Sequence, residues 1–309
     1  MEFGPVEKAI ETTSGYIRRL KSDHEKRALF QQLNPLILPY AKLLIHSLDA
    51  LATYGNPDMP VTCAIETASV CNRSCLYCTV ATAEFRQSRI NTFMSEGLFK
   101  EIVEQLAQVK LAGRKKGYPG ALFLNCFGEP LLDKKIMSRV AYARRRLPEA
   151  RIGIFTNGDF LNKDKLNGLV LAGAAEVVAT IHDPADFNQE LLGLENPHFR
   201  IQPPLVYLSN RAGKAPTIIS RDRLIAPEKI CVSPTFSFYV STDGNVALCC
   251  NDSLVEASMG TIGSSSEGNI WTLWGKQRWV DARRNLRRGN FERTPDICRR
   301  CRQPSVGKI

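Results

Sequence analysis

The chain has 309 residues and 34.5 kDa, with 44% hydrophobic, 23% charged and 8% aromatic residues, a balance that excludes disordered and collagen-like classes and leaves room for one large domain with attachments. Its 41 Lys and Arg against 31 Asp and Glu give a formal charge of +10, which suits nucleic acid, anionic lipid or a phosphorylated substrate as partner, or a solvated basic surface. The densest basic knots are Arg144-Arg145-Arg146 and the stretch from Arg283 to Arg288. No segment has the roughly 18 consecutive apolar residues of a membrane span, because Pro39, Lys42, His46 and Asp49 break the stretch from Leu36 to Leu51. The start, Met1-Glu2-Phe3-Gly4-Pro5, has neither the basic flank nor the apolar core of a signal peptide. The expectation is a cytoplasmic protein without a membrane partner.

In chain order, residues 1 to 58 read as a helical extension, with Ile17 and Leu20 and later Leu43, Leu44, Leu48 and Leu51 at helical spacing, interrupted at Pro35 and Pro39 and ended by Gly55-Asn56-Pro57. From 59 to 225 strand and helix signals alternate. Val61–Thr67, Ala121–Cys126, Arg151–Thr156, Glu176–Ile181 and Pro204–Leu208 read as strands. Ser95 caps a helix carrying Leu98, Ile102 and Leu106; Asp133 opens one with Ile136 and Val140, which Pro148 ends; Asn162 caps one with Leu166, Leu169 and Val170, ended by Gly173. Repeated strand–helix–strand units predict an α/β fold with a parallel sheet and right-handed crossovers, too few for an eight-fold barrel and therefore a partial, open one. From 226 to 309 the signals change to a small module. Phe236–Ser241, the turn Thr242-Asp243-Gly244 and Asn245–Cys249 read as a hairpin, followed by a helix with Trp271, Leu273, Trp274, Trp279 and Val280.

Ten cysteines sit unevenly along the chain. In a reducing compartment such clusters point to metal binding or catalysis rather than disulfides. After the first predicted strand comes Cys71-Asn72-Arg73-Ser74-Cys75-Leu76-Tyr77-Cys78. Three thiolates in so tight a loop suit three irons of a [4Fe–4S] cube and leave the fourth iron open to a small molecule. Structural zinc also uses close cysteines but pairs two Cys-x2-Cys units more readily.

Cys-x3-Cys-x2-Cys after the first strand of a partial barrel resembles the radical SAM superfamily. The resemblance implies a SAM-binding [4Fe–4S] cluster on Cys71, Cys75 and Cys78, and S-adenosylmethionine cleaved to a 5′-deoxyadenosyl radical. It places Tyr77 near the adenine. Asn125-Cys126-Phe127-Gly128-Glu129-Pro130 is similar to the family's Gly-Gly-Glu-Pro segment, with Phe127 in place of its first Gly, so Gly128, Glu129 and Pro130 are expected to hold the SAM amino group. Phe155-Thr156-Asn157-Gly158 resembles the Thr-Asn-Gly after the third strand, which adds Asn157. All lie at C-terminal strand ends, where barrels carry their chemistry. His182 and Asp183 face the same rim and read as solvated loop residues.

The second cysteine group is Cys231, Cys249, Cys250 and Cys298-x2-Cys301. Spacing alone fits zinc or a [4Fe–4S] cube equally. The tail, with Gly244 four residues before Cys249, Met259-Gly260 and Gly268-Asn269-Ile270-Trp271, resembles the SPASM extension in its shortened twitch form. That implies one auxiliary [4Fe–4S] cluster on Cys231, Cys249, Cys298 and Cys301, with Cys250 an alternative to Cys249. Cys63 and Cys126 read as small core residues.

One-cluster members of this kind include aminocyclitol dehydrogenases. The resemblance thus implies oxidation or other modification of a small polar, sugar-like or aminocyclitol-like molecule, the auxiliary cluster taking an electron and a flavodoxin- or ferredoxin-type protein donating one. A base is needed near the substrate; Arg211, Lys214 and Arg221 are the candidates. A peptide-modifying enzyme is the alternative, although the helical N-terminus lacks the strands and winged helix of a peptide-recognition domain. A zinc-stabilised nucleic-acid-binding protein is a third reading, without the aromatic-rich basic strand of RNA readers.

Overall fold

The computed structural model describes residues 38–304, except 76, 90–91, 114–115, 184, 186, 203–209, 216–223, 226–229, 264–267 and 302. The helical signals before residue 38, Ile17 and Leu20 among them, lie outside the described residues. Helix α1 spans Leu38–Tyr54. Pro39 does not interrupt it but sits in its first turn, where a missing N–H removes no intrahelical bond. Among the described residues no helix is long and apolar enough to cross a membrane.

Strands β1 (Thr62–Ile65), β2 (Ala121–Phe123), β3 (Arg151–Thr156), β4 (Glu176–Thr180) and β5 (Phe199–Gln202) form an open parallel sheet in the order β5-β4-β3-β2-β1. The strand predicted at 204–208 lies outside the described residues. Strand β5 escaped the sequence reading because it is half-buried along its whole length and shows no apolar run. After α2 (Ala83–Ser88), helices α3 (Glu96–Ala107), α4 (Ile136–Arg146) and α5 (Lys163–Leu171) supply the crossovers. The predicted caps hold: Ser95 Oγ accepts from Leu98 N at 3.2 Å and Asn162 Oδ1 from Lys165 N at 2.8 Å. Phe99, Ile102 and Leu106 of α3, Val140 of α4 and Leu166 and Leu169 of α5 join Leu122, Ile152, Ile154 and Val177 of the sheet in one core. Burial of this apolar surface is the dominant stabilising contribution.

The tail is continuous with this sheet. After β6 (Leu224–Ile225) and the short helix α6 (Ser233–Phe236), β7 (Ser237–Val240) lies parallel to β1, in register Thr62↔Ser237 to Ile65↔Val240. Strand β8 (Val246–Ala247) returns antiparallel to β7. Gly244 makes that return at φ 85°, and a side chain there would meet the Ile262 carbonyl at 2.6 Å. The hairpin is therefore the sixth and seventh strands of the main sheet. The single predicted Trp helix is two, α7 (Ile270–Gly275) and α8 (Gln277–Arg287), because Lys276 adopts φ −56°, ψ 128°. All three indoles donate to main-chain carbonyls: Trp271 to Gln105 at 2.9 Å, Trp274 to Asp58 at 2.8 Å and Trp279 to Met259 at 3.1 Å. Helix α9 (Asp296–Arg300) carries Cys298, and β9 (Gln303–Pro304) pairs with β6.

One buried ion pair fastens barrel and tail. Glu66, immediately after β1, is fully buried and pairs with Arg89 at the end of α2. Glu66 Oε2 also accepts from Thr242 N at 3.1 Å, and Arg89 Nη1 donates to the Ser253 carbonyl at 3.0 Å. Truncating one partner strands the other charge in the core. Arg89→Ala is expected to lower the unfolding free energy by about 3–5 kcal/mol, and the paired replacement Glu66→Gln/Arg89→Met by less; urea denaturation of both proteins checks this.

Candidate active site

The first cysteine loop is shaped by its own backbone and by the end of β3. Cys78 N donates to the Cys75 carbonyl at 2.9 Å, and Arg73 N approaches Cys71 Sγ at 3.5 Å. Asn157 Nδ2 donates to Asn72 Oδ1 at 2.9 Å and lies 3.9 Å from Cys71 Sγ. Asp159 then clamps the loop from outside: it accepts from Asn72 Nδ2 at 2.6 Å and from Arg73 Nε at 2.7 Å and Nη2 at 2.5 Å. Burial pushes the Asp159 carboxyl up, but these Arg73 and Asn72 bonds outweigh it and hold it below the usual range. Sequence reading missed this pair; its signal was an arginine inside the cysteine loop and an aspartate two residues beyond Asn157.

Cys71, Cys75 and Cys78 line one cavity of about 290 Å³ at the C-terminal strand ends. The segment after β2 contributes Asn125 to Glu129, the end of β3 and the residue after it Phe155 to Asn157, β4 Thr180 and β5 Gln202. The neighbourhood of Gly128 is the tightest. Its backbone runs against the β1 extension, with Glu129 N donating to the Val70 carbonyl at 2.8 Å. A Cβ on Gly128 would stand 2.2 Å from the Ala68 carbonyl oxygen and 2.6 Å from that of Val70. Glu129 is buried and already engaged: Oε1 accepts from Leu131 N at 2.9 Å and Thr156 Oγ1 at 2.7 Å, and Oε2 from Asn157 N at 2.9 Å. The carboxylate thus fixes the β2 and β3 ends to each other. Pro130 begins the short turn Pro130–Leu132 and is buried. Phe127 packs edge-on against Phe85 at 6.4 Å between centroids and under the Arg89 guanidinium at 5.6 Å, so its ring occupies a ready-made slot.

Tyr77 and His182 share a hydrogen bond between the phenol and Nδ1, and both line this cavity and a wider neighbouring cleft of about 680 Å³. His182 is therefore not a solvated loop residue. Burial, with Arg73 adding, lowers its pKa and favours the neutral imidazole. Asp183 is exposed and caps Ala185 N at 2.9 Å. Cys63 is a core residue as its sequence predicts, whereas Cys126, expected there too, lines the cavity.

Of the three base candidates, Arg221 lies outside the described residues. Lys214 pairs with Glu84 and with Glu256 at 3.1 Å. The Glu84 bond, ahead of Glu256, raises its pKa. Lys214 is thus a cation held in ion pairs, and the base assignment is corrected on that ground. Arg211 does line the cavity, and its Nη1 donates to the Cys250 carbonyl and Asn251 Oδ1, each at 3.4 Å. A guanidinium offers donors and no acceptor, so Arg211 can donate to a substrate oxygen but does not serve as the base.

The second cysteine group converges. Cys231, Cys249, Cys298 and Cys301 line one pocket with Leu286, Phe291 and Ile297. Cys231 N donates to the Leu286 carbonyl at 2.9 Å, Cys298 N to that of Pro295 at 2.9 Å, and Asn251 Nδ2 lies 3.7 Å from Cys301 Sγ. Cys250 does not line this pocket. All ten thiols are free. Burial pushes Cys71 up to about 11 and Cys231 and Cys298 up to about 12; thiolates gathered this way call for a cationic centre. Among the described residues no three His, Cys, Asp or Glu side chains are grouped as ligands of a single ion. Cys71, Cys75 and Cys78 line one space and Cys231, Cys249, Cys298 and Cys301 another, all-thiol donor sets whose chemistry fits iron–sulfur clusters.

The sequence model of the radical SAM superfamily matches residues 65–201, and that of the SPASM iron–sulfur cluster-binding domain matches residues 231–302. The chain therefore carries a radical SAM domain followed by a SPASM iron–sulfur domain. The enzyme's cofactors are accordingly S-adenosylmethionine, a [4Fe–4S] cluster and an auxiliary iron–sulfur cluster. It is 29% identical over 248 residues to the S-adenosyl-L-methionine-dependent 2-deoxy-scyllo-inosamine dehydrogenase of Niallia circulans, covering 78% of this chain and 92% of that one. The crystal structure of BtrN in complex with AdoMet and 2-DOIA superimposes with a TM-score of 0.67 at 28% identity, covering 79% and 93% of the two chains. The open conformation of BtrN shares the fold with a TM-score of 0.59 at 24% identity, covering 78% and 91%. The partial-barrel expectation is met.

Gly128→Ala tests the tightest contact of the site. Because both obstructing atoms are main-chain, the substitution is expected to cost about 1–3 kcal/mol of stability and to lower iron retention after reconstitution; thermal unfolding and iron per chain measure the two effects.

Proposed function

We propose that the enzyme oxidises a hydroxyl-bearing carbon of a small polar molecule of the sugar or aminocyclitol kind. In this reading Cys71, Cys75 and Cys78 hold the SAM-cleaving cluster, and Cys231, Cys249, Cys298 and Cys301 hold the auxiliary one. Cys249 is preferred to Cys250 because it lines the second pocket with the other three. Tyr77, Gly128, Glu129, Pro130 and Asn157 border the SAM site, Gly128 through its backbone and Glu129 by fixing Thr156 and Asn157 in place. When bound, these groups supply a 5′-deoxyadenosyl radical that removes a hydrogen atom from the substrate and an acceptor for the electron left behind.

One observation carries the reading. Arg211 lines the first cavity, and the next residue, Ala212, lines the pocket of the second cysteine set. The two spaces are parted by a single step of backbone, in which both residues take left-handed conformations, φ 48° and 55°. A substrate held by Arg211 would thus lie beside the second set as well as the first. The relative's action on 2-deoxy-scyllo-inosamine and the cavity's hydrogen-bonding groups, Asn125, Thr180 and Gln202, favour a hydroxylated ring.

Anaerobically reconstituted protein should contain about eight irons per chain and form 5′-deoxyadenosine when reduced with SAM. A Cys71/Cys75/Cys78→Ala variant should lose about four irons and all SAM cleavage. A Cys231/Cys298/Cys301→Ala variant should lose a similar number, keep SAM cleavage under dithionite and fail to convert aminocyclitols to ketones. Wild-type protein with only one cluster would remove the dehydrogenase reading.

A further inference from the structure

The mechanism uses the second cysteine pocket from its inner side. Its outer side carries a concentration of charge that the reading above leaves unexplained. Residues 276–301 contain nine Lys and Arg (Lys276, Arg278, Arg283, Arg284, Arg287, Arg288, Arg293, Arg299 and Arg300) against three acids (Asp281, Glu292 and Asp296), a balance of +6 out of +10 for the whole chain. Arg283 is buried over Trp274, and Arg287 and Arg300 pair with Asp58 and Glu256. The exposed Arg284 and Arg299 pair with Asp281 and Asp296, and the exposed Arg278 lies over the Trp279 ring, so the exposed Arg288 and Arg293 remain for the surface.

These two and the ion-paired Arg299 are placed together by the backbone. Asn285 Nδ2 of α8 donates to the Arg293 carbonyl at 3.2 Å, which fastens the turn Phe291–Arg293 to the end of α8. Arg299 Nη1 of α9 reaches the Glu292 and Thr294 carbonyls, each at 3.4 Å. Within this turn Phe291 lines the second cysteine pocket, as do Leu286 before Arg288 and Cys298 before Arg299. Cys301 is half-buried and lies at the same edge. The helix dipole accounts for basic residues in the last turn of α8, but not for Arg293, which is in no helix longer than one turn. Arg288 and Arg293 form no ion pair among the described residues; of the two exposed acids on this face, Asp296 is paired with Arg299 and Glu292 lies within the turn.

We infer that the face formed by the end of α8, the turn 291–293 and α9 is the docking surface for an acidic one-electron carrier protein, which takes the electron delivered to the auxiliary cluster. The inference rests on the dehydrogenase reading above. Oxidising an alcohol carbon removes two electrons: one leaves with the hydrogen atom that ends on 5′-deoxyadenosine, and the second reduces the carrier by one electron, while the hydroxyl proton passes to solvent. A cationic rim over the cysteine set steers such a partner and fixes its orientation.

The test uses the reconstituted full-length enzyme and purified oxidised flavodoxin as the probe. Flavodoxin should bind the wild type with an affinity that falls as salt rises. Arg288→Glu/Arg293→Glu should weaken binding at low salt by about tenfold or more, with iron content and dithionite-driven SAM cleavage unchanged. Arg145→Glu in the basic last turn of α4, outside the proposed face, should leave binding intact. Binding insensitive to the double variant, or equally lost in Arg145→Glu, would overturn the assignment. So would a labelled oligonucleotide that binds this face while flavodoxin does not. Enzyme that fails to cleave SAM under dithionite would instead sink the dehydrogenase reading, and the binding comparison would still decide the docking surface.

Discussion

The buried pair between Glu66 and Arg89 is the constraint on which the rest of the molecule depends. Glu66 follows β1 and stands five residues before Cys71, Arg89 ends the helix after the cysteine loop, and their other bonds reach Thr242 and Ser253 in the tail. Four segments, two from the barrel and two from the tail, are therefore tied to one desolvated charge pair. Such a pair contributes little net stability compared with an apolar replacement, but it tolerates few alternative arrangements. The geometry around it is specified rather than merely favoured. Phe127 extends the same arrangement, since its ring lies under Arg89 and its neighbours Cys126 and Gly128 face the cavity.

A second layer of constraint comes from main-chain contact at the strand ends. Glu129 bonds across from β2 to the Thr156–Asn157 step of β3, and Asn157 reaches on to Asn72 in the cysteine loop. Asp159 then grips Arg73. The cysteine loop, which has almost no regular structure of its own, is held by donors and acceptors borrowed from the second and third strands. A cofactor bound there meets preorganised dipoles rather than a loop that must rearrange.

Much of this was legible in the sequence because it depends on local signals. Strand β3 is read to the residue from its apolar run, and the Ser95 and Asn162 caps from side chains suited to orphan N–H groups. The cysteine spacings point to both sets. What escaped depends on contacts between distant segments. Nothing near Glu66 announces Arg89 as its partner, and nothing in the sequence around Ser237 shows that this strand would lie on β1. Lys214 resembled a loop base until Glu84, 130 residues earlier, was found beside it. Strand β5 carries too weak a pattern for periodicity to find. Local chemistry is written in short words; the assembly of the site is written between them.

The pairing of β7 with β1 has a consequence for how the enzyme is made. The two strands lie about as far apart in the chain as the fold allows, and contacts of such separation form late. During synthesis β1 has one edge without its partner until residue 240 has emerged, and the cysteine loop that follows β1 is meanwhile without the Thr242 contact that steadies Glu66. The frame behind the first cysteine loop is thereby completed only when the tail has joined the sheet. A ribosome stalled before the hairpin would release a chain with all three cysteines of the first set but without the wall that shelters them, and truncation of the C-terminal module would act on the SAM site by leaving its sheet unfinished.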